Sequence, residues 1–334
     1  LMAVATAYAL RVIADSTDLP ALAWLSPIGW MQLLRPFADE RWIAAAPPLI
    51  GATLLISVAF ALRDRRDLGA GLLPDRPGPG RGRIHGLLTL AMRLQRGQFV
   101  SWLVGVAVMA AVVGAIARSA GDFATTDAVR EYLTALGGTQ QVADAFVAAE
   151  IALLGTIIAA YGVHATLRLR VEEAAGRVDA LLAAGVDRVP WALSYVAAAA
   201  VAVAVLALVG GFTTGLTYGL ALGDLGEVGA LTAAALAHVP ASWVLIGIAA
   251  AAFGWAPRAA VPVTWALYGA FVVVAEFGPL WGLPLWIRNL APFTHSPLLP
   301  GGETSWTGLG ALTITSVALV LVGLLRWHRR DIGA

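Results

Sequence analysis

The chain has 334 residues, 59% of them hydrophobic and only 13% charged, with a mean hydropathy of +0.78. A soluble domain of this length carries about twice that share of charge, so the composition is that of a polytopic membrane protein. The net charge of +1 selects no partner, all 22 basic residues are Arg, and the lack of Cys excludes disulfides, thiol nucleophiles and Cys-ligated metals.

Apolar runs long enough to cross a bilayer core recur along the chain. They read as helices, because in lipid every backbone group must be paired internally. The first run, 1–13, is short and has no basic segment before it, so it reads as the end of a span in a chain that is itself a fragment. Full spans are predicted at 43–62, 98–117, 141–167, 190–221, 228–253, 259–277 and 306–326. The loops between them alternate in charge. Most Arg residues fall in 63–97, 168–189, 254–258 and the tail, and loop 63–97 alone has eight Arg against three acids. The excess of Arg assigns that side, and with it the C-terminus, to the cytoplasm of a multi-pass plasma-membrane protein.

The basic hexapeptide RRDLGA (65–70) returns as RRDIGA (329–334) at an offset of about 264 residues. Trp42 and Trp306 keep the offset, while WLSP (24–27) and NLAP (289–292) miss it by one. An even number of spans separates the hexapeptides, so both fall on one side and the copies run parallel as a tandem repeat. The predicted organisation is a remnant of a first repeat over 1–70, a cytoplasmic Gly/Pro/Arg linker with an interfacial helix over 71–97, and a complete six-span repeat over 98–334. In the linker, Pro74, Pro77 and Pro79 forbid a helix. After it, Leu87, Leu88, Leu90, Ala91 and Leu94 form an apolar stripe with Arg93 and Arg96 off it. This reads as a short helix in the interface plane or as the cytoplasmic start of the next span.

The most charge-dense loop is RLRVEEAAGRVDALLAAGVDRVPWALSY (168–195). Val171, Ala174, Ala175, Val178, Leu181 and Leu182 fall on one face of a helix, with Glu172, Glu173, Arg177 and Asp179 mostly off it. Gly185 is suited to end that helix, and Pro190 sits in the first turn of the next span. A short amphipathic helix outside the membrane needs a protein partner or a lipid surface.

EEAAGRVDALLAAGVDR, followed directly by a long span, resembles the intracellular loop between the first two spans and the third of ABC-2-type exporter permeases. The double copy, WLSPIGWMQLLRPFADERW and RRDLGAGLLPDRPGP resemble the actinobacterial two-repeat permeases for polyketide antibiotics, and the resemblance covers essentially the whole chain. It implies an all-α polytopic bundle: one ABC-2-type six-span unit preceded by the end of a parallel repeat. It implies a permease, not an enzyme, that exports an amphipathic or hydrophobic compound such as an antibiotic. Its partners would be a nucleotide-binding ATPase subunit, in two copies, together with membrane lipid and the small hydrophobic substrate; no nucleic acid is implied. On that resemblance Glu172, Glu173, Arg177, Asp179 and Arg188 form the ATPase-coupling loop. No cofactor is expected on this chain. ATP and Mg would sit on the partner, since a GxxxxGK[ST] phosphate loop needs a Lys and the chain has none.

Two other classes stay open. EEAAGR (172–177) fits the Glu-Glu-x-x-x-Arg pattern of intramembrane CAAX-type proteases, whose carboxylates position a water, but His238 and His295 lack the expected neighbours. An ion-coupled secondary transporter would use Glu150 and His164, on one span, as a proton relay. Within the membrane, Gly211, Gly215, Gly219 and Gly223 repeat every four residues and predict a close helix contact. The segment 278–305, rich in Pro, Gly and Trp, resembles the re-entrant outer segment of ABC-2 exporters, with 14–42 as its counterpart; its Trp residues also suit an interfacial belt. The repeat offset sets Arg11 against Glu276 as a possible pair between the repeats.

Overall fold

The computed structural model describes residues 6–8, 10, 11, 14, 20–35, 40–64, 86–122, 139–297, 299 and 306–330. The hexapeptide at 65–70, the Pro-rich stretch up to 85 and the last four residues lie outside the described residues. The chain is an all-α membrane protein, and among the described residues seven helical segments are long and apolar enough to cross a bilayer. It divides into two units, Leu1–Ile84 and His85–Ala334.

In the first unit a 3-10 turn, Pro20–Leu25, leads into α1 (Pro27–Leu33), and a second turn, Trp42–Ala45, leads into α2 (Ala46–Asp64). Ser26, just before α1, is buried and its hydroxyl donates to the Ala7 carbonyl at 2.6 Å. Arg11 donates from Nε to the Gln32 side-chain carbonyl. Helix α2 leaves Leu49, Leu54, Leu55 and Phe60 exposed around its circumference, a surface suited to lipid.

The second unit is built from α3 (Leu87–Asp122), α4 (Thr139–Ala174), α5 (Arg177–Ala183), α6 (Arg188–Leu222), α7 (Glu227–Ala237), α8 (Val239–Trp255), α9 (Ala260–Phe277), α10 (Leu285–Arg288) and α11 (Trp306–Arg329). Helix α4 is central, with α3, α6, α8 and α9 packed around it, while α11 packs chiefly on α8. Val106, Leu154, Ile158, Val203, Leu206 and Ile246 form the middle of the core.

Two boundaries differ from the sequence reading. Residues 87–97, expected as a separate interfacial helix, are the first three turns of α3, because the lone Gly97 is too weak a breaker to interrupt a run of good helix formers. At 36 residues α3 is about 54 Å long, well beyond a hydrocarbon core of about 30 Å. Conversely, the predicted span 228–253 is two helices that meet at His238. Pro240 has no N–H to offer, and its ring excludes the carbonyl four residues back, which breaks the ladder there.

Close approaches set the helix crossings. The four glycines of α6 do three different jobs. A Cβ on Gly215 would lie 2.7 Å from Val228 Cα, and one on Gly211 would lie 2.8 Å from the Leu231 carbonyl, so these two seat α7. Gly219 accommodates the returning chain at Asp224 and Leu225. Gly223, at φ 77°, closes the helix in the left-handed conformation. A second seam, not foreseen from sequence, joins α8 to α11. There Gly247 faces the Ser316 backbone, Gly254 faces that of Gly323, and Gly323 faces that of Ala250.

Between α9 and α11, Ala291, Pro292 and Phe293 are buried and pin the connecting segment onto the bundle. Trp281 and Trp286 remain exposed, as an interfacial aromatic belt requires.

Substituting Gly215→Leu should force α6 and α7 apart and destabilise the protein by roughly 1–3 kcal/mol. Leu222→Met, at an exposed position, should be neutral. Thermal unfolding in detergent, followed by Trp fluorescence, measures both, and an unchanged Gly215→Leu transition would show that the seam tolerates a side chain.

Candidate functional site

The Arg-rich end of the second unit is organised by where α4 stops. Helix α4 continues through Ala174, beyond the expected 167, and then Gly176 adopts φ 68°, which an L-residue with a side chain rarely takes. That residue breaks the predicted amphipathic helix in two. Val171, expected on its apolar face, ends up exposed on α4. Helix α5 starts at Arg177 in a new direction, with Val178 fully buried and Leu181 and Leu182 packed on the core. At its end the amide of Gly185 donates to the Leu182 carbonyl and that of Val186 to the Leu181 carbonyl, closing the helix before Asp187 caps α6.

The five residues assigned to the loop separate by direction. Glu172 is buried and accepts from Arg177 Nε at 2.5 Å, with Arg168 Nε 3.4 Å from its other oxygen. The same carboxylate, through that hydrogen bond, holds the exposed Arg177 guanidinium above its ordinary pKa. Glu173 turns inward to Arg330 and also pairs with Arg170 at 3.3 Å. Asp179 stands exposed on α5 and Arg188 is half-buried at the start of α6.

Arg330 was not singled out in the sequence, although it is the second Arg of the repeated hexapeptide. It is buried, and its guanidinium is shared between three elements. Nη2 donates to Glu173 at the end of α4, and Nη1 donates at 2.9 Å to the Phe253 carbonyl, one of the unsatisfied acceptors ending α8. The group lies over the rings of Trp327 and Phe253, 4.8 and 5.2 Å from their centroids. In turn the Arg330 carbonyl accepts from Arg188 Nη1 at 2.6 Å, and Trp327 Nε1 donates to the Arg188 carbonyl at 3.2 Å. Trp191, Phe253 and Trp327 fill the space between these bonds. The ends of α4, α6, α8 and α11 are therefore tied together. Beside this cluster a groove of about 730 Å³ is lined by Asp179, Leu182, Val186, Asp187, Pro190 and His328, among others.

The other candidate groups lie elsewhere. His238 packs its ring against Gly155 on α4. Glu172 is 17 residues further along that helix, about 25 Å away, so the geometry does not gather the Glu pair and this His into one centre. Among the described residues there is no cluster of three His, Cys, Asp or Glu residues able to hold a metal. Glu150 and His164 stand about 20 Å apart along α4. Glu150 on α4 and Glu276 on α9 belong to helices that pack against each other.

Comparison with known proteins agrees with this architecture. Residues 84–328 match the family model described as the C-terminal domain of the multidrug efflux system permease Rv1217c. The chain is 37% identical over 331 residues to the multidrug efflux system permease protein Rv1217c of Mycobacterium tuberculosis (strain ATCC 25618 / H37Rv). The match covers 98% of this chain and 60% of that relative, so the chain spans well under two thirds of the relative's length.

The ion cluster makes a sharp energetic prediction. Arg330→Met should leave Glu173 buried with only Arg170 and cost about 3–5 kcal/mol. Adding Glu173→Gln should restore part of the loss. In a double-mutant cycle read by thermal unfolding, a coupling of at least ~1 kcal/mol is expected, and simple additivity would show that the two residues do not act together.

Proposed function

We propose that this chain, which belongs to the multidrug efflux permease family whose C-terminal domain it matches, is the membrane part of an ATP-driven exporter of amphipathic, largely apolar compounds. The observation that carries this reading is α5. It is a short helix between two spans, anchored by its apolar face and by Arg177 to the buried Glu172, with an outer face of Asp179, Ala180 and Ala183 left open beside a groove. A rigid, exposed helix hung between two membrane helices suits docking of a nucleotide-binding subunit. In this reading ATP is hydrolysed on that subunit, which accords with the lack of a Lys for a phosphate-binding loop among these 334 residues. The relative's description as a multidrug efflux system permease supports the cargo class. The Arg-rich end, with α5 and the C-terminus, faces the cytoplasm.

Glu172 and Glu173 belong to the fold as well as to the loop, so their removal would confound folding with docking; the open face is the place to test. Asp179→Arg and Ala183→Trp should each weaken capture of the nucleotide-binding subunit by about tenfold or more, with unfolding unchanged. Undiminished capture by both variants would remove α5 as the docking element. Asp179→Cys in this Cys-free chain should label only from the cytoplasmic side of oriented vesicles, and labelling from outside would reverse the assigned orientation.

A further inference from the structure

A cavity of about 410 Å³ lies between α3, α4 and α6, toward the Arg-rich end. That volume falls within the range of small-molecule pockets, roughly 300–1,000 Å³. Met92, Phe99, Tyr161, Ala198 and Val205 make its wall almost wholly apolar. Phe99 and Trp102 set edge-on contacts with Tyr161, at 6.2 and 5.6 Å between centroids, and these hold its ring in place. The wall suits a hydrocarbon or aromatic body.

One residue does not fit that description. Gln95 lines the same cavity with only 3% of its surface exposed, and neither its amide oxygen nor its amide nitrogen has a hydrogen-bond partner. Native structures seldom leave a buried amide unsatisfied on both atoms, so the carboxamide keeps its oxygen acceptor and both N–H donors unused at the cavity wall. Arg93 and Arg96 also line the cavity, and both side chains are exposed at its rim. Val201 of the cavity wall is itself exposed, and beyond the rim Val100 and Val104 on α3 and Leu208 on α6 are exposed apolar residues, suited to face lipid. The opening therefore lies where acyl chains meet headgroups.

We propose that this cavity binds an anionic amphiphile taken laterally from the leaflet. The apolar body fills the cavity, a carboxylate or phosphate sits at Arg93 and Arg96, and an ester or amide just below the head group pairs with Gln95. Assignment to the inner leaflet rests on the orientation given above; the binding itself does not. The same chemistry belongs to an acidic exported compound and to a resident anionic phospholipid.

The test uses the chain in nanodiscs of neutral lipid, with a photoreactive fatty acid carrying a diazirine on its chain and its alcohol and trimethylammonium analogues of equal length. Cross-links are mapped by mass spectrometry. The carboxylate probe should label the segments containing Phe99, Tyr161 and 198–205, about tenfold more strongly than the alcohol. Arg93→Gln with Arg96→Gln should abolish that preference, Gln95→Leu should weaken labelling, and Arg329→Gln, an exposed Arg at the same end, should change nothing. Equal labelling by all three probes, or labelling confined to other segments, would overturn the site. Should Gln95→Leu fail to fold, the exposed Arg pair decides alone. Displacement by phosphatidylglycerol identifies the occupant as resident lipid, and displacement by an acidic exported compound identifies it as cargo; both uphold the site. No nucleotide-binding subunit takes part, so this result stands or falls apart from the transport reading.

Discussion

A guanidinium buried where four helices end is the constraint on which the Arg-rich end of this molecule depends. Burying a cation is costly unless it is paired and its donors are used. Arg330 is paired with Glu173, donates to the Phe253 carbonyl and lies over two aromatic rings, with Nε alone left without a hydrogen bond. Each of these partners comes from a different place in the chain: the end of α4, the end of α8 and the last turn of α11. The arrangement is satisfied only when all three meet at one point, so the charge fixes how the helices converge rather than merely adding attraction between them. The Arg330 carbonyl then extends the bond pattern to Arg188, the first residue of α6.

The loop between α4 and α6 takes its form from that fixed frame. With both its flanking helices tied, the chain has only a few residues in which to cross from one to the other. Gly176 supplies the sharp change of direction, Val178 anchors α5 to the core, and Gly185 lets the helix end. Glu172 pairs instead with Arg177 and Arg168, and from its buried position it braces the turn. Two adjacent carboxylates thus serve two networks, one holding the bundle and one holding α5 against it. In the proposed docking role this matters, because a helix that yielded under load would not pass a partner's movement to the membrane.

Much of the architecture was legible because hydropathy and charge report on the bilayer directly. The spans, the concentration of Arg at one end and the presence of a short helix between 168 and 189 follow from the residues. What was not legible depends on phase and on partners distant in sequence. Residues 171, 174, 175, 178, 181 and 182 fit one helical face so well that the break at Gly176 is invisible to periodicity. Only the burial of Val178 beside the exposure of Val171 shows that the register is reset. Likewise, a basic tail after the last span reads as a solvated anchor. That one of its Arg residues turns inward follows from Glu173, 157 residues away. The break at His238 did have a local signal in Pro240, which the continuous apolar run outweighed. The seam of Gly247, Gly254 and Gly323 lacks the four-residue spacing that drew attention to the glycines of α6.

Helix α6 connects the two ends of this account. Its first residue, Arg188, is held by the Arg330 cluster and lines the groove beside α5. Residues Ala198 to Val205 of the same helix, about 15–25 Å further on, form one wall of the apolar cavity. Trp191 and Tyr195 between them, and Ala199 and Val203 within the wall stretch, are buried against the core, so the segment has no slack in which a displacement could be absorbed. A shift of the α6 terminus therefore reaches the cavity wall as a movement of a rigid element rather than through a chain of separate side-chain adjustments. The opposite wall belongs to α3 and α4, and α4 is tied to the same cluster through Glu173, while α3 carries Arg93, Gln95 and Arg96 and has no bond to it among the interactions described. Helix α3 instead packs along α6, with Gly114 seated against the backbone of Thr214 and Tyr218, so the third wall is coupled to the other two by packing alone.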